Sequence, residues 1–256
     1  SDGLLSLSGS FSVPLTSSST IGVIFKGASR FIHDFSVSGT DGFNTFVGVD
    51  AGSFSMSGSV AFHASNNTGM GHGSLTALTT GYRNSAFGTG AMQYTTTGAQ
   101  NSAFGYQALA GNTTGGTNSA FGSLALYSNT IGGGNSAFGH NALSSNTSGQ
   151  GNSAFGSNAL ANNGGSNNSA FGGSSLTNNS SGIGNCAFGP SSLLLNTTGS
   201  GNCAFGYESL LNNSTNGSNS AFGSWSLRAT TGSNNTAIGY QAGVHSDQRI
   251  KQHVSG

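Results

Sequence analysis

The chain alternates polar and apolar residues over a few positions at a time and then repeats itself. In "GNSAFGHNALSSNTSGQGNSAFG", residues 134–156, the string Asn-Ser-Ala-Phe-Gly returns after seventeen residues. Aligned on its Asn, the unit begins at Asn84, Asn101, Asn118, Asn135, Asn152, Asn168, Asn185, Asn202, Asn219 and Asn235, spaced by 17 residues except for two steps of 16. Weaker copies from Asn44 and Asn67 bring the total to about twelve units. Self-similarity at a fixed short period marks a solenoid. In the ten regular copies the third residue is always Ala, the fourth is Phe in nine and Ile238 in the last, and the fifth is always Gly. The Ser-Ala-Phe alternation suits a short strand, in which successive side chains point to opposite faces. A brief turn then leads to Ala or Ser and an apolar residue (Leu109, Leu126, Leu143, Leu160, Leu176, Leu193, Leu210, Leu227). A polar turn such as "NTTG" follows, rich in the Asn and Gly that tolerate left-handed backbone angles. The pattern predicts two short strands and two turns per coil. The fold class is all-β, a parallel β-solenoid (β-roll) of about twelve coils with mostly 17-residue repeats.

Coils stacked at the spacing of neighbouring strands, ~4.8 Å, make a rod on the order of 58 Å long, with like residues in ladders. Ala and Phe are adjacent in the strand, so one row faces the narrow interior and the other faces out; the alternation does not say which. One coil buries too little apolar surface to offset the entropy of ordering its backbone. An outward Phe row would be too large an apolar stripe for a soluble monomer. Both arguments favour three chains around an axis, with Asn, Ser, Thr and Gly left in water. The 16-residue steps have to be absorbed in the turns "NNGGSN" (162–167) and "TTGSN" (230–234), because losing a strand residue would flip every later side chain.

Charge removes most other readings. Six Lys and Arg balance six Asp and Glu in 256 residues, which gives no basic stripe for nucleic acid. No apolar run approaches 18 residues, so no membrane span is expected. Disordered chains pair low hydrophobicity with high net charge, whereas this one has neither net charge nor irregular Phe and Leu spacing. Between Arg83 and Arg228 the one Asp, Glu, Lys or Arg is Glu208, so neither a carboxylate pair nor an acid with a basic anchor can be assembled along the rod of one chain. The expectation is no enzyme activity, no catalytic residue along the repeats, no metal and no cofactor. His33, His63, His72, His140, His245 and His253 lack ligand spacing and read as packing or solvent residues. Cys186 and Cys203 fill the Ser slot of neighbouring coils; their spacing permits a disulfide, but free thiols replacing Ser are the simpler reading. Sequons at Asn112 and Asn196 permit glycosylation and arise readily by chance in so Asn- and Thr-rich a chain.

The phrase "NSAFGYQALAGNTTGGTNSAFG", residues 101–122, resembles the Asn-rich repeats of phage tail fibres, viral fibres and bacterial surface proteins that carry an endosialidase-type intramolecular chaperone. It is also similar to the shorter repeats in the heads of trimeric autotransporter adhesins. The resemblance implies a trimeric, left-handed parallel β-roll and covers about Asn44 to Gly243; the coils here are longer than the adhesin pattern, with the excess in the "NTTG" turn. "SDQRIKQHV", Ser246 to Val254, resembles the opening of the chaperone domain itself. In that family the chaperone assists trimerisation and then removes itself by cleavage between Ser and Asp. Carried over, Ser246 supplies the nucleophilic hydroxyl and Asp247 begins the released piece. The chain runs on to Gly256, so either that cleavage does not occur or the chain ends inside the domain.

Three segments result. Residues 1–43, whose "FKGASRFIHDFSVSGTD" is the densest charged stretch, read as a β-rich lead-in or cap that closes the apolar end of the stack. Residues 44–243 are the solenoid, and 244–256 are the junction and first residues of a chaperone-like domain. The opening "SDGLLSLSGS" has neither Met nor a basic leader, as in a mature or excised piece. The function expected is a structural shaft or adhesive segment of an extracellular or virion surface fibre, acting by rigid multivalent display. The expected partners are a homotrimer mate, further rods joined end to end, and a cell-surface glycan or protein receptor. Two alternatives stand beside it. One is the non-catalytic part of a glycan-degrading fibre enzyme. The other is an ice-binding solenoid, whose Thr ladder is interrupted by Ile131, Ser148, Ser180 and Ser181.

Overall fold

The computed structural model describes residues 22–244 together with Pro14 and Ser18. Two antiparallel strands, β1 (Ile24–Lys26) and β2 (Ser29–His33), form a hairpin turned at Gly27, whose φ of 64° suits glycine. β2 pairs antiparallel with β3 (Thr45–Val47), and from β3 onward every pairing is parallel. β4 (Thr68–Met70) and ten further three-residue strands, from β5 (Ser85–Phe87) to β14 (Thr236–Ile238), follow in strict chain order. Among the described residues the fold is therefore all-β, a parallel solenoid with no helix.

Register is held residue on residue: Ser136 lies beside Ser153, Ala137 beside Ala154, and Phe138 beside Phe155. Both 16-residue steps preserve it, with Ala170 beside Ala154 and Ala237 beside Ala221. The first deletion falls in its turn. The Asn163 amide donates to Gly165 O, two residues on, where Asn146 in the preceding coil reaches Gly149 O, three residues on.

Each coil has one strand, where the residue pattern suggests two. The Ala-Leu segment makes coil-to-coil bonds, such as Leu109 N–H to Ala125 O at 2.9 Å, but its Leu is left-handed, with φ between 46° and 55° from Leu109 to Leu227. That conformation is disfavoured for Leu and common for Asn or Gly. It turns the chain sharply enough to point Leu into the interior, and every one of these leucines is buried.

The Ala row faces in. Ala86 through Ala221 are fully buried, and the Phe beside each is partly exposed. The interior of a coil holds that Ala, the Leu, and an Ala or Ser before the Leu. Where Ser replaces Ala, its hydroxyl donates to a backbone carbonyl three residues back, as from Ser192 to Gly189 at 2.8 Å, so the exchange leaves no buried group unpaired.

Asn is interior as well, contrary to the expectation that it stays in water. The first Asn of every unit from Asn67 to Asn219 is buried. Asn135 is representative: Nδ2 donates to Asn118 Oδ1 at 3.1 Å and to Gly149 O at 2.9 Å, and Oδ1 accepts from Asn152 N–H and Nδ2 at 3.0 and 3.1 Å. A primary amide offers two donors and two acceptor sites, and all four are used. A second buried ladder runs through Asn112, Asn129, Asn146, Asn163, Asn179, Asn196 and Asn213, each later amide donating to the Oδ1 of the one before. Two continuous amide ladders take the place that a larger apolar core would hold in a wider coil.

Candidate functional site

Because Ala fills the inner side of each strand from β5 to β14, the neighbouring Phe (Ile238 in β14) has to point outward. Nine rings from Phe87 to Phe222 stack along the rod, with centroids 4.6–5.1 Å apart and planes within 3–9° of parallel. Strand spacing imposes this geometry, and stacking covers the ring faces while leaving the edges exposed. Met70, 45% exposed, and Ile238, 78% exposed, continue the row at either end. Taking roughly 200 Å² for a Phe side chain with a third of it exposed, the nine rings alone present about 600 Å², the upper end of what a monomer shows.

On the same strand face, two residues before the Phe, stands Ser or Cys. Cys186 and Cys203 are partners in register, free and partly buried. Burial, and then the neighbouring Cys203, push the Cys186 thiol above its ordinary pKa, so it is not an activated nucleophile.

The other singled-out residues are dispersed. His33 is buried in the N-terminal aromatic cluster, stacked on Phe54 at 4.6 Å; Nε2–H donates to Ala51 O at 2.8 Å and Nδ1 accepts from Phe35 N–H at 3.3 Å. Burial lowers its pKa. His63 Nδ1 accepts from Ser59 N–H, while His72 and His140 stand on separate coils. No group of three His, Cys, Asp or Glu side chains that could hold a metal occurs among the described residues. No helix among them is long and apolar enough to cross a membrane. The sequon residues Asn112 and Asn196 are fully buried with their amides donating to Gly115 O and Gly199 O, so a glycan cannot be attached to the folded rod at either. Thr96, Thr113, Thr130 and Thr197 each turn Oγ1 to the backbone carbonyl of the next coil. Ser246 and Asp247, with His245 and His253, lie outside the described residues, as does the opening "SDGLLSLSGS".

One cluster was missed in the sequence because its members sit on different coils. Arg228 Nε donates to Glu208 Oε2 at 2.7 Å, the one ion pair among the described residues within the solenoid. Tyr207, Trp225 and Tyr240 form a row beside it, with centroid separations of 6.3 and 5.4 Å. Glu208, Trp225, Arg228, Gln241 and Val244 line a cavity of about 270 Å³. The Tyr207 hydroxyl first, and the Arg228 guanidinium after it, hold the Glu208 carboxyl below its ordinary pKa against the opposing effect of burial. The signal available was compositional: a lone Glu, a lone Trp and an Arg within 21 residues of an otherwise uncharged repeat.

Comparisons with protein-family models, with curated proteins and with solved structures found no match to this chain.

Proposed function

We propose that the chain is the shaft or adhesive segment of an extracellular or virion surface fibre, a homotrimer packed through its Phe ladders. The observation that carries this reading is the outward apolar row, unbroken from Met70 to Ile238 on a nearly uncharged rod. Three such rows brought together would be removed from water, which would be left mainly to the Ser-, Thr- and Gly-rich turns. The amide ladders supply rigidity along the axis, and threefold symmetry supplies multivalent display. The resemblance of the repeats to fibre and adhesin heads agrees with this, and adds the expectation of a left-handed roll followed by a self-cleaving chaperone.

Sedimentation and native mass spectrometry test it. The expected mass is that of three chains at micromolar concentration, or a multiple of it where rods join at their ends. Phe138→Asp with Phe155→Asp places two carboxylates in the middle of the proposed contact and lowers the mass, because an unpaired buried charge is costly. A single-chain mass for the unaltered protein, or an unchanged mass for the double variant, removes the trimer.

A further inference from the structure

We propose that the cluster at Glu208, Trp225 and Arg228 is a binding site for a neutral pyranose sugar. The site deepens the adhesive reading and takes its biological setting from it, but its chemistry is independent of the number of chains.

Nothing in the rod's stability calls for this cluster. Coils without it hold the same register, and an exposed ion pair contributes little to stability. Arg228 has 44% of its side chain exposed, so it anchors nothing in the interior. Trp225 occupies the left-handed corner, φ 61°, that other coils fill with Leu124, Asn141, Ser174 or Glu208, so its backbone is that of the solenoid and only its ring is particular to this coil. Its indole N–H is buried against the Glu208 carboxylate, whose pKa it helps to lower, without a hydrogen bond of regular geometry, so Trp225 and Glu208 belong to one polar cluster.

The lining specifies the ligand. A sugar ring has an apolar C–H face and a rim of hydroxyls that both donate and accept. The Trp225 ring offers an apolar surface on the cavity wall, with Tyr207 and Tyr240 tilted beside it. The Glu208 carboxylate accepts, and Arg228, whose Nε is committed to Glu208, retains both Nη groups as donors. The Gln241 amide adds one of each on the cavity wall. Among the described residues Glu208 and Arg228 cancel in charge, so the lining they form has no net charge with which to attract an acidic sugar. A cavity of about 270 Å³ lies just below the usual range for small-molecule sites and suits one ring better than an extended ligand.

The chain contains a single Trp, so its emission reports on this cavity alone. The experiment titrates the full chain with the methyl glycosides of glucose, galactose, mannose and N-acetylglucosamine, with N-acetylneuraminate as the charged comparison. At least one neutral glycoside is expected to give a saturable change in emission. Arg228→Ala and Glu208→Gln should each weaken it at least tenfold while leaving the sedimentation mass and melting curve of the same samples unchanged. Ligand-observed magnetisation transfer from protein to sugar repeats the test in Trp225→Ala, which should lose the transfer. No saturable change with any neutral glycoside, a response to N-acetylneuraminate alone, or binding retained in both charge variants overturns the proposal. A single-chain mass with intact sugar binding would overturn the trimer and leave this site standing.

Discussion

Removing one amide from the buried ladder should cost more than any surface change on this protein. In Asn135→Ala four bonds disappear together, those to Asn118 Oδ1, Gly149 O, Asn152 N–H and Asn152 Nδ2. At about 1 kcal/mol net for each, the loss is ~4 kcal/mol. A water taken into the vacated space could re-pair part of this, which sets a floor of ~2 kcal/mol. Gln150→Ala, at an exposed position of the same coil, is the control and should stay within ~0.5 kcal/mol. Chemical denaturation gives the magnitude and native-state hydrogen exchange gives the place. A solenoid is coupled mainly between neighbours, so protection should fall around Asn118, Asn135 and Asn152 and persist near Ala204. Asn135→Asp goes further: its carboxylate would face the acceptors of Asn118 and Gly149. The folded-state pKa of that Asp is then raised above its unfolded value, so the penalty is complete above the folded pKa and fades as pH falls toward the unfolded one, ~3.9. A difference under about 1 kcal/mol between Asn135→Ala and the Gln150 control, or an exchange change spread evenly along the rod, would refute the ladder as a source of rigidity.

Gly139→Ala should destabilise by at least ~3 kcal/mol, since φ is 138° and the added Cβ would stand 2.6 Å from Gly156 O, whereas Gly134→Asn, whose Cβ would make only an ordinary contact with Gly151 N at 3.9 Å and whose φ of 69° suits Asn, should change melting little. The N-terminal end should loosen in mild acid: the pKa of His33 is lowered by burial, so its neutral form supports full stability above the unfolded pKa of ~6.5 and that support is lost as pH falls below it. Exchange across residues 24–54 measured from pH 7.5 down to pH 5 checks this, and protection that rises on acidification would contradict it. In a chain extended through a complete chaperone domain, mass spectrometry should find a fragment beginning at Asp247, and Ser246→Ala should stay intact; cleavage that survives this substitution removes the role of Ser246.

The repeat unit was legible because a solenoid writes its geometry into the period: every coil meets the same neighbours, so the same residue types recur at the same positions. Ala137, Phe138 and Gly139 could be assigned to one strand and its turn, and the two shortened steps to particular turns, from the string of residues alone. Which way the strand faces was another matter. Alternation separates Ala137 from Phe138 without saying which lies inside, and that depends on how much room the coil leaves. Leu143, turned inward by a left-handed backbone that its residue type disfavours, and the amides of Asn135 and Asn146 already occupy the interior. A methyl group fits in what remains in these coils; the ring of Phe46, in the same slot of β3, is admitted because Gly69 and Gly52 lie beside it. The burial of Asn was hidden for a related reason: an amide reads as a turn residue until an identical amide is stacked above and below it to satisfy its hydrogen bonds. Glu208, Trp225, Arg228 and Gln241 come together because stacking brings positions about one turn apart in sequence to within a few ångströms in space.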